Sequence, residues 1–135
     1  MTDCLFCKIT AGDIPSQRVY EDDSVVAFLD IRPTNFGHTL VVPKEHSEDI
    51  LSTTEQLAAH MMSVAKKLAP AIIKASGAEG FNLILNTKPA AGQVIFHTHM
   101  HIIPRHSDDG FSHWPGKHVS GDELDSMAEK IKKLF

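Results

Sequence analysis

Phe96-His97-Thr98-His99-Met100-His101-Ile102-Ile103 is the stretch that decides how this chain is read. Residues alternate in character from Val94 to Ile103, and a period of two is that of a β-strand. This is expected to be the strongest strand of the chain, with His97, His99 and His101 projecting from one face. Three consecutive choices of a rare side chain need a reason beyond solvation. A His-x-His pair can chelate zinc. At a rise of ~3.3 Å per residue, however, the outer histidines stand ~13 Å apart. One ion with Zn–N bonds of about 2.0–2.1 Å cannot take all three. At least one imidazole is left for other work, such as nucleophilic attack on phosphorus with a neighbour holding its tautomer.

Outward from this stretch, short β-prone runs lie at Arg18–Glu21, Val25–Leu29, His38–Val42 and Phe81–Leu85, and Glu21-Asp22-Asp23-Ser24 suits a hairpin turn. Cys4 to Thr10 suggests a helical turn stopped by Gly12 and Pro15. The long helical pattern runs from Ser52 to Ser76, with Leu57, Met61, Val64, Leu68, Ile72 and Ala75 in one stripe. Ser52 or Thr53 would cap its start, Gly77 its end, and Pro70 should kink or interrupt it. From Gly121 a short C-terminal helix carries Leu124, Met127, Ile131 and Leu134 on one face. Residues 88–92 and 106–120 read as irregular. Hairpin-like strands with one long helix indicate an α+β domain built on an antiparallel sheet of about five strands.

The chain has 135 residues, which favours one domain, 1–135, over two. With 42% hydrophobic and 22% charged residues it is expected to fold rather than stay disordered. The net charge of -4 argues against a nucleic-acid coat, though not against a small nucleotide in a pocket. No apolar run approaches the ~20 residues of a membrane span. Met1-Thr2-Asp3-Cys4 has neither the basic nor the apolar region of a secretory signal, and the only cysteines are Cys4 and Cys7, so a reduced, cytoplasmic chain is expected. Cys4 and Cys7 form a C-x-x-C pair whose thiolates can share one tetrahedral ion, with histidines as the available further ligands.

The His-x-His-x-His run followed by two apolar residues resembles the signature of the histidine triad (HIT) family of nucleotidyl hydrolases and transferases. The resemblance extends through Cys4-Leu5-Phe6-Cys7-Lys8-Ile9, Ile14-Pro15, Glu21-Asp22-Asp23, Ala27-Phe28-Leu29-Asp30-Ile31 and Gly37-His38-Thr39-Leu40-Val41-Val42-Pro43-Lys44-Glu45-His46, in family order. His113-Trp114-Pro115-Gly116 is similar to the ending of the Hint-like branch. That branch implies hydrolysis of purine nucleoside phosphoramidates at the α-phosphorus through a covalent nucleotidyl-histidine. Alternatives are dinucleoside-polyphosphate hydrolysis and a non-catalytic nucleotide sensor.

The resemblance assigns His99 as nucleophile, with His101 and His38 supporting it and His97 facing the phosphate and leaving group. Asn86, Gln93 and the backbone at Val94 would contact phosphate, and Asp30 would hold the ribose hydroxyls. Phe6, Ile9, Phe28, Ile31 and Leu40 would wall the purine. Where Hint enzymes carry a serine three residues before the triad, this chain has Val94, which leaves no hydroxyl to protonate a leaving group. Bacterial members with C-x-x-C imply a structural zinc on Cys4, Cys7, His46 and His97. The family also implies a homodimer, with the Ser52–Ser76 stripe partly buried between subunits and Trp114 reaching toward the partner's pocket.

Overall fold

A computed structural model describes residues 3–135. The elements run α1 (Leu5–Ala11), β1 (Arg18–Glu21), β2 (Val25–Leu29), β3 (Thr39–Pro43), α2 (Glu55–Ser76), β4 (Gly80–Ile84), β5 (Met100–Arg105) and α3 (Gly121–Leu134). Short 3-10 turns lie at Ile50–Ser52 and Pro89–Ala91. The strands form one antiparallel sheet in the order β1-β2-β3-β5-β4. The expected α+β architecture is what the chain adopts.

β2 and β3 read as unbroken apolar runs because both of their faces are covered. Val25, Ala27 and Val41, with Met100 and Ile102, pack on Met61, Val64 and Ala65 of α2. Val26, Phe28, Leu40 and Val42 point the other way, onto Phe6 and Ile9 of α1. Burying side chains of this size is worth about 1.5–3 kcal/mol each, so the two faces fix the strand register. The turn between β1 and β2 is closed by Asp22, which accepts from the amides of Ser24 (2.8 Å) and Val25 (2.9 Å).

β3 and β4 are each shifted by one residue from the sequence expectation, and three larger differences stand out. The strand predicted over Val94–Ile103 begins only at Met100. Continued pairing with β3 would set Thr98 against Pro43, which has no N–H to give. Thr98 instead donates its amide to the Ser47 carbonyl, at 2.8 Å. The long helix starts at Glu55 with Thr54 as its cap, because Ser52 closes the Asp49 capping box and Thr53 Oγ1 is bonded to the Asp49 carbonyl. Pro70 neither ends nor interrupts α2; it is exposed, and the helix runs on to Gly77.

The loop between β2 and β3 is held at its far end by Gly37 (φ 103°), where a Cβ would come within 3.3 Å of Ser76 Cβ. Only glycine fits this close approach, and it delivers His38 to the sheet. At the other end of the chain, Arg105 and Asp109 pair at 2.7 Å and anchor the first residues after β5. Beyond them residues 111–135, including α3, are exposed.

Candidate active site

The triad histidines all lie on the side of the sheet that carries α1, but only His101 belongs to a strand. His101 lies on β5 opposite Leu40, on the side of the sheet that carries α1. His97 and His99 sit in the turn before β5, and both are buried. His97 swings toward the N-terminal turn while His99 stacks edge-on against Phe6, with centroids 5.0 Å apart. The His97 ring therefore does not line the pocket, contrary to the role expected of it at the leaving group. Its main chain is what reaches the chemistry.

Backbone partners fix the tautomers of His99 and His38, and His38 in turn fixes that of His101. A carbonyl can only accept, so His99 Nδ1 carries the proton it donates to the His97 carbonyl, at 2.7 Å. That leaves His99 Nε2 as a lone pair. Thr34 N–H donates to His38 Nδ1 at 3.0 Å. His38 Nε2 then holds the proton and donates to His101 Nδ1 at 2.8 Å, which leaves His101 Nε2–H as a donor. Asp30 Oδ2 stands 3.7 Å from His38 Nε2. Burial favours the neutral rings: it lowers the pKa of His38, His97 and His99, and takes His101 to about 4 with help from His99 and His38. A neutral His99 with a free Nε2 lone pair, beside a His101 whose Nε2–H can donate, is suited to nucleophilic attack at neutral pH.

A cavity of about 720 Å³ opens beside His99 and His101. Phe6, Ile9, Phe28, Ile31 and Leu40 line it, as do Asp30, Asn86 and Val94. Gln93 does not. It is buried, its Oε1 accepts from Lys88 N, and its Nε2 donates to the carbonyls of Glu48 (2.7 Å) and Ile95 (3.2 Å). Its amide is spent on shaping the loop. Arg32, Ile95 and Pro15 also line the cavity and were not expected from the sequence. Arg32 could have been suspected as a cation two residues from Asp30, whose Oδ1 accepts the Arg32 amide at 2.8 Å.

On the far side of His97 a second constellation converges. Cys4 Sγ and Cys7 Sγ lie 3.3 and 3.5 Å from His97 Nδ1, Cys7 Sγ lies 3.4 Å from His46 Nδ1, and the two Nδ1 atoms are 3.1 Å apart. Tetrahedral zinc with bonds of about 2.0–2.3 Å sets its ligand atoms roughly 3.3–3.8 Å apart. His97 Nε2 donates to the Pro43 carbonyl at 2.8 Å, so its Nδ1 faces the thiols as a lone pair. Cys7 N–H donates to Cys4 Sγ at 3.3 Å. These four residues fit a metal ion.

The profile of the HIT domain matches residues 11–108. The chain is 50% identical over 134 residues to the protein hit of Bacillus subtilis, covering 96% of this chain and 92% of that one. It is 38% identical over 131 residues to an adenosine 5'-monophosphoramidase of Schizosaccharomyces pombe, covering 95% of each. An adenylylsulfatase of Arabidopsis thaliana is 47% identical over 107 residues, 79% of this chain and 54% of that one. Among solved structures, a Streptococcus mutans protein superposes with a TM-score of 0.93 at 48% identity, covering 98% of this chain and 85% of its own. A Zn-bound histidine triad family protein of Mycobacterium smegmatis superposes with a TM-score of 0.77 at 36% identity over 99% of both chains.

Proposed function

Because this chain belongs to the HIT family, whose relatives include nucleotide hydrolases, we propose that it hydrolyses purine nucleoside phosphoramidates or related conjugates of a nucleoside monophosphate at the α-phosphorus. The observation that carries this reading is the His99 Nδ1–H bond to the His97 carbonyl, which leaves a desolvated Nε2 lone pair at the wall of the apolar cavity. Nε2 attacks the phosphorus, the P–N bond breaks, and the amine departs. Water then attacks the phosphorus of the nucleotidyl-histidine, releasing the monophosphate and restoring His99. Phe6, Phe28 and Leu40 sandwich the base, Asp30 takes the ribose hydroxyls, and Asn86 with the amides around Val94 meets the phosphate. His101 Nε2–H donates to a phosphoryl oxygen. Val94 offers no hydroxyl, so the amine takes its proton from water.

Cys4, Cys7, His46 and His97 would hold a structural zinc, whose chemistry is that of a closed tetrahedral crosslink. The same two free thiols support a reducing compartment, the cytoplasm. We read residues 1–135 as one unit that works as a homodimer.

The test is AMP release from adenosine 5'-phosphoramidate, with acid quenching to trap adenylylated protein. Turnover with a covalent adduct on His99 is expected. Turnover of dinucleoside polyphosphates alone would move the assignment to that substrate class. AMP binding without turnover of either would make the protein a sensor.

A further inference from the structure

Lys88 has φ 75° and ψ 156°, and among the described residues it is the sole non-glycine with positive φ. This corner of backbone space is essentially reserved for glycine. Pro89 accounts for the value of ψ but not for the sign of φ. What holds Lys88 there is a set of bonds made by its own atoms. Its N–H donates to Gln93 Oε1 at 2.8 Å, and its carbonyl accepts from Ala91 N (3.0 Å) and Gln93 N (3.2 Å). Its ammonium reaches Asp49 Oδ2 at 2.8 Å. The Asp49 carboxylate is 3% exposed, and its other oxygen accepts from Leu51 N.

This pair is one rung of three. Lys88 binds Asp49, Gln93 Nε2 binds the Glu48 carbonyl, and Thr98 N–H binds the Ser47 carbonyl. The stretch from Lys88 to Thr98 is thus laced along residues 47–49, and His99 follows the last rung. Asn86, Gly92, Val94 and Ile95, on or beside this stretch, form part of the cavity wall. The first rung alone combines a strained backbone with a buried carboxylate, for which Lys88, itself 57% exposed, supplies the cation beside the Leu51 amide.

We propose that Lys88 is a positioning residue: its ion pair with Asp49 clamps the loop 86–95 so that this wall stays at the phosphate and leaving-group side of the cavity. The clamp rests on the proposed hydrolysis only for its kinetic consequence. Lys88 and Asp49 touch neither the base-binding wall nor His99, so loss of the pair is expected to fall on the phosphate and the chemical step rather than on binding of the base and ribose.

The experiment uses the full chain with Lys88→Met, Lys88→Arg and Lys88→Gly. Misplacing reacting groups by a fraction of an ångström costs large factors in rate, so Lys88→Met is expected to lower kcat on adenosine 5'-phosphoramidate by about tenfold or more. The dissociation constant for adenosine, which lacks the phosphate this wall meets, should stay within about twofold, so that the loss falls on the phosphate and the chemical step. Amide hydrogen exchange at residues 93–95 should accelerate. Lys88→Arg should restore most of the rate. Lys88→Gly removes the strain together with the charge, is expected to fold normally, and should show the same kinetic loss. Unchanged exchange at residues 93–95 in Lys88→Met and Lys88→Gly overturns the clamp. Faster exchange with wild-type kcat overturns its positioning role. If the wild-type chain turns over no nucleotide, the hydrolysis reading fails, and exchange alone decides the clamp.

Discussion

His99 is oriented by a main-chain carbonyl, not by a neighbouring side chain, and this separates what substitutions can do. Deleting the ring removes the nucleophile while leaving Phe6, Phe28 and Leu40 in place around the base. His99→Ala is therefore expected to lose turnover by about 10³-fold or more while still binding AMP, and to yield no adenylylated protein. Turnover close to wild type would reject the mechanism. His101→Ala removes a donor and the link to His38 but keeps the lone pair on His99, so its loss should be smaller. The same burial that keeps these rings neutral sets a pH dependence. His101 is faced by His99, His38 and Asp30, and its pKa falls from 6.5 to about 4 on folding. Between these values the unfolded chain binds more protons than the folded one, so stability is full above about 6.5 and declines as pH falls toward 4. Thermal denaturation from pH 8 to 4.5 should show Tm falling on the acid side in wild type. His101→Ala should show a shallower fall.

At the scale of elements, α1 is the piece whose place is least secured by its own chain. It has seven residues, fewer than a stable isolated helix needs, and its cap is Cys4 Sγ. Its apolar contacts, Phe6 and Ile9, are also walls of the cavity. A metal bridging Cys4 and Cys7 to His46 and His97 would tie α1 to the segment after β3 and to the turn that carries His99. Protein purified without an affinity tag is expected to hold about one zinc per chain by elemental analysis, and none in reduced, chelator-free protein rejects the site. Cys4→Ser should release the metal and lower Tm by about 5 °C or more. This cluster also marks how far sequence reaches. Val25–Leu29 was legible to the residue because burial on both faces dictates its composition, and Arg18–Glu21 because the Asp22 turn pairs it with that strand. The His97–His101 alternation was legible as a site but misleading as a strand. Its period of two belongs to chemistry, with His97 turned to the thiols and His99 to the cavity, and only residues from Met100 onward pair with β3. Gln93 carried no local sign that its amide is spent on Glu48 and Lys88, since those partners depend on the path of two loops. The start of α2 was hidden in the same way: Ser52, Thr53 and Thr54 can all cap, and only the Asp49 turn selects Thr54.

The molecule as a whole leaves several large apolar groups uncovered. In the α2 stripe Met61 and Val64 are fully buried against the sheet, while Leu57, Leu68 and Ile72 are half-buried and Ala75 is exposed. Further apolar groups are uncovered outside the stripe. In α3, Leu124, Met127, Ile131 and Leu134 are between 54% and 89% exposed, and Trp114 is 89% exposed. A 14-residue helix with an unburied apolar face is marginal in water even with a good capping box, so α3 requires a surface to lie on. A further apolar hollow is formed by Val19, Leu29, Phe36, Leu68 and Ile72. Strand β4 ends the sheet with Phe81 and Leu83 exposed, and such an edge invites pairing unless covered. A twofold dimer can cover the edge and the helices together, and interfaces of this obligate kind commonly exceed ~2,000 Å². Light scattering at micromolar concentration is therefore expected to give twice the 14.9 kDa of one chain. The double substitution Met127→Lys with Ile131→Lys should shift the mass toward the monomer while leaving His99, on the other side of the sheet from α2, in its folded environment. A wild-type chain that scatters as a monomer at that concentration rejects the dimer. A dimer indifferent to both lysines would remove α3 from the interface and leave the β4 edge to hold the two copies.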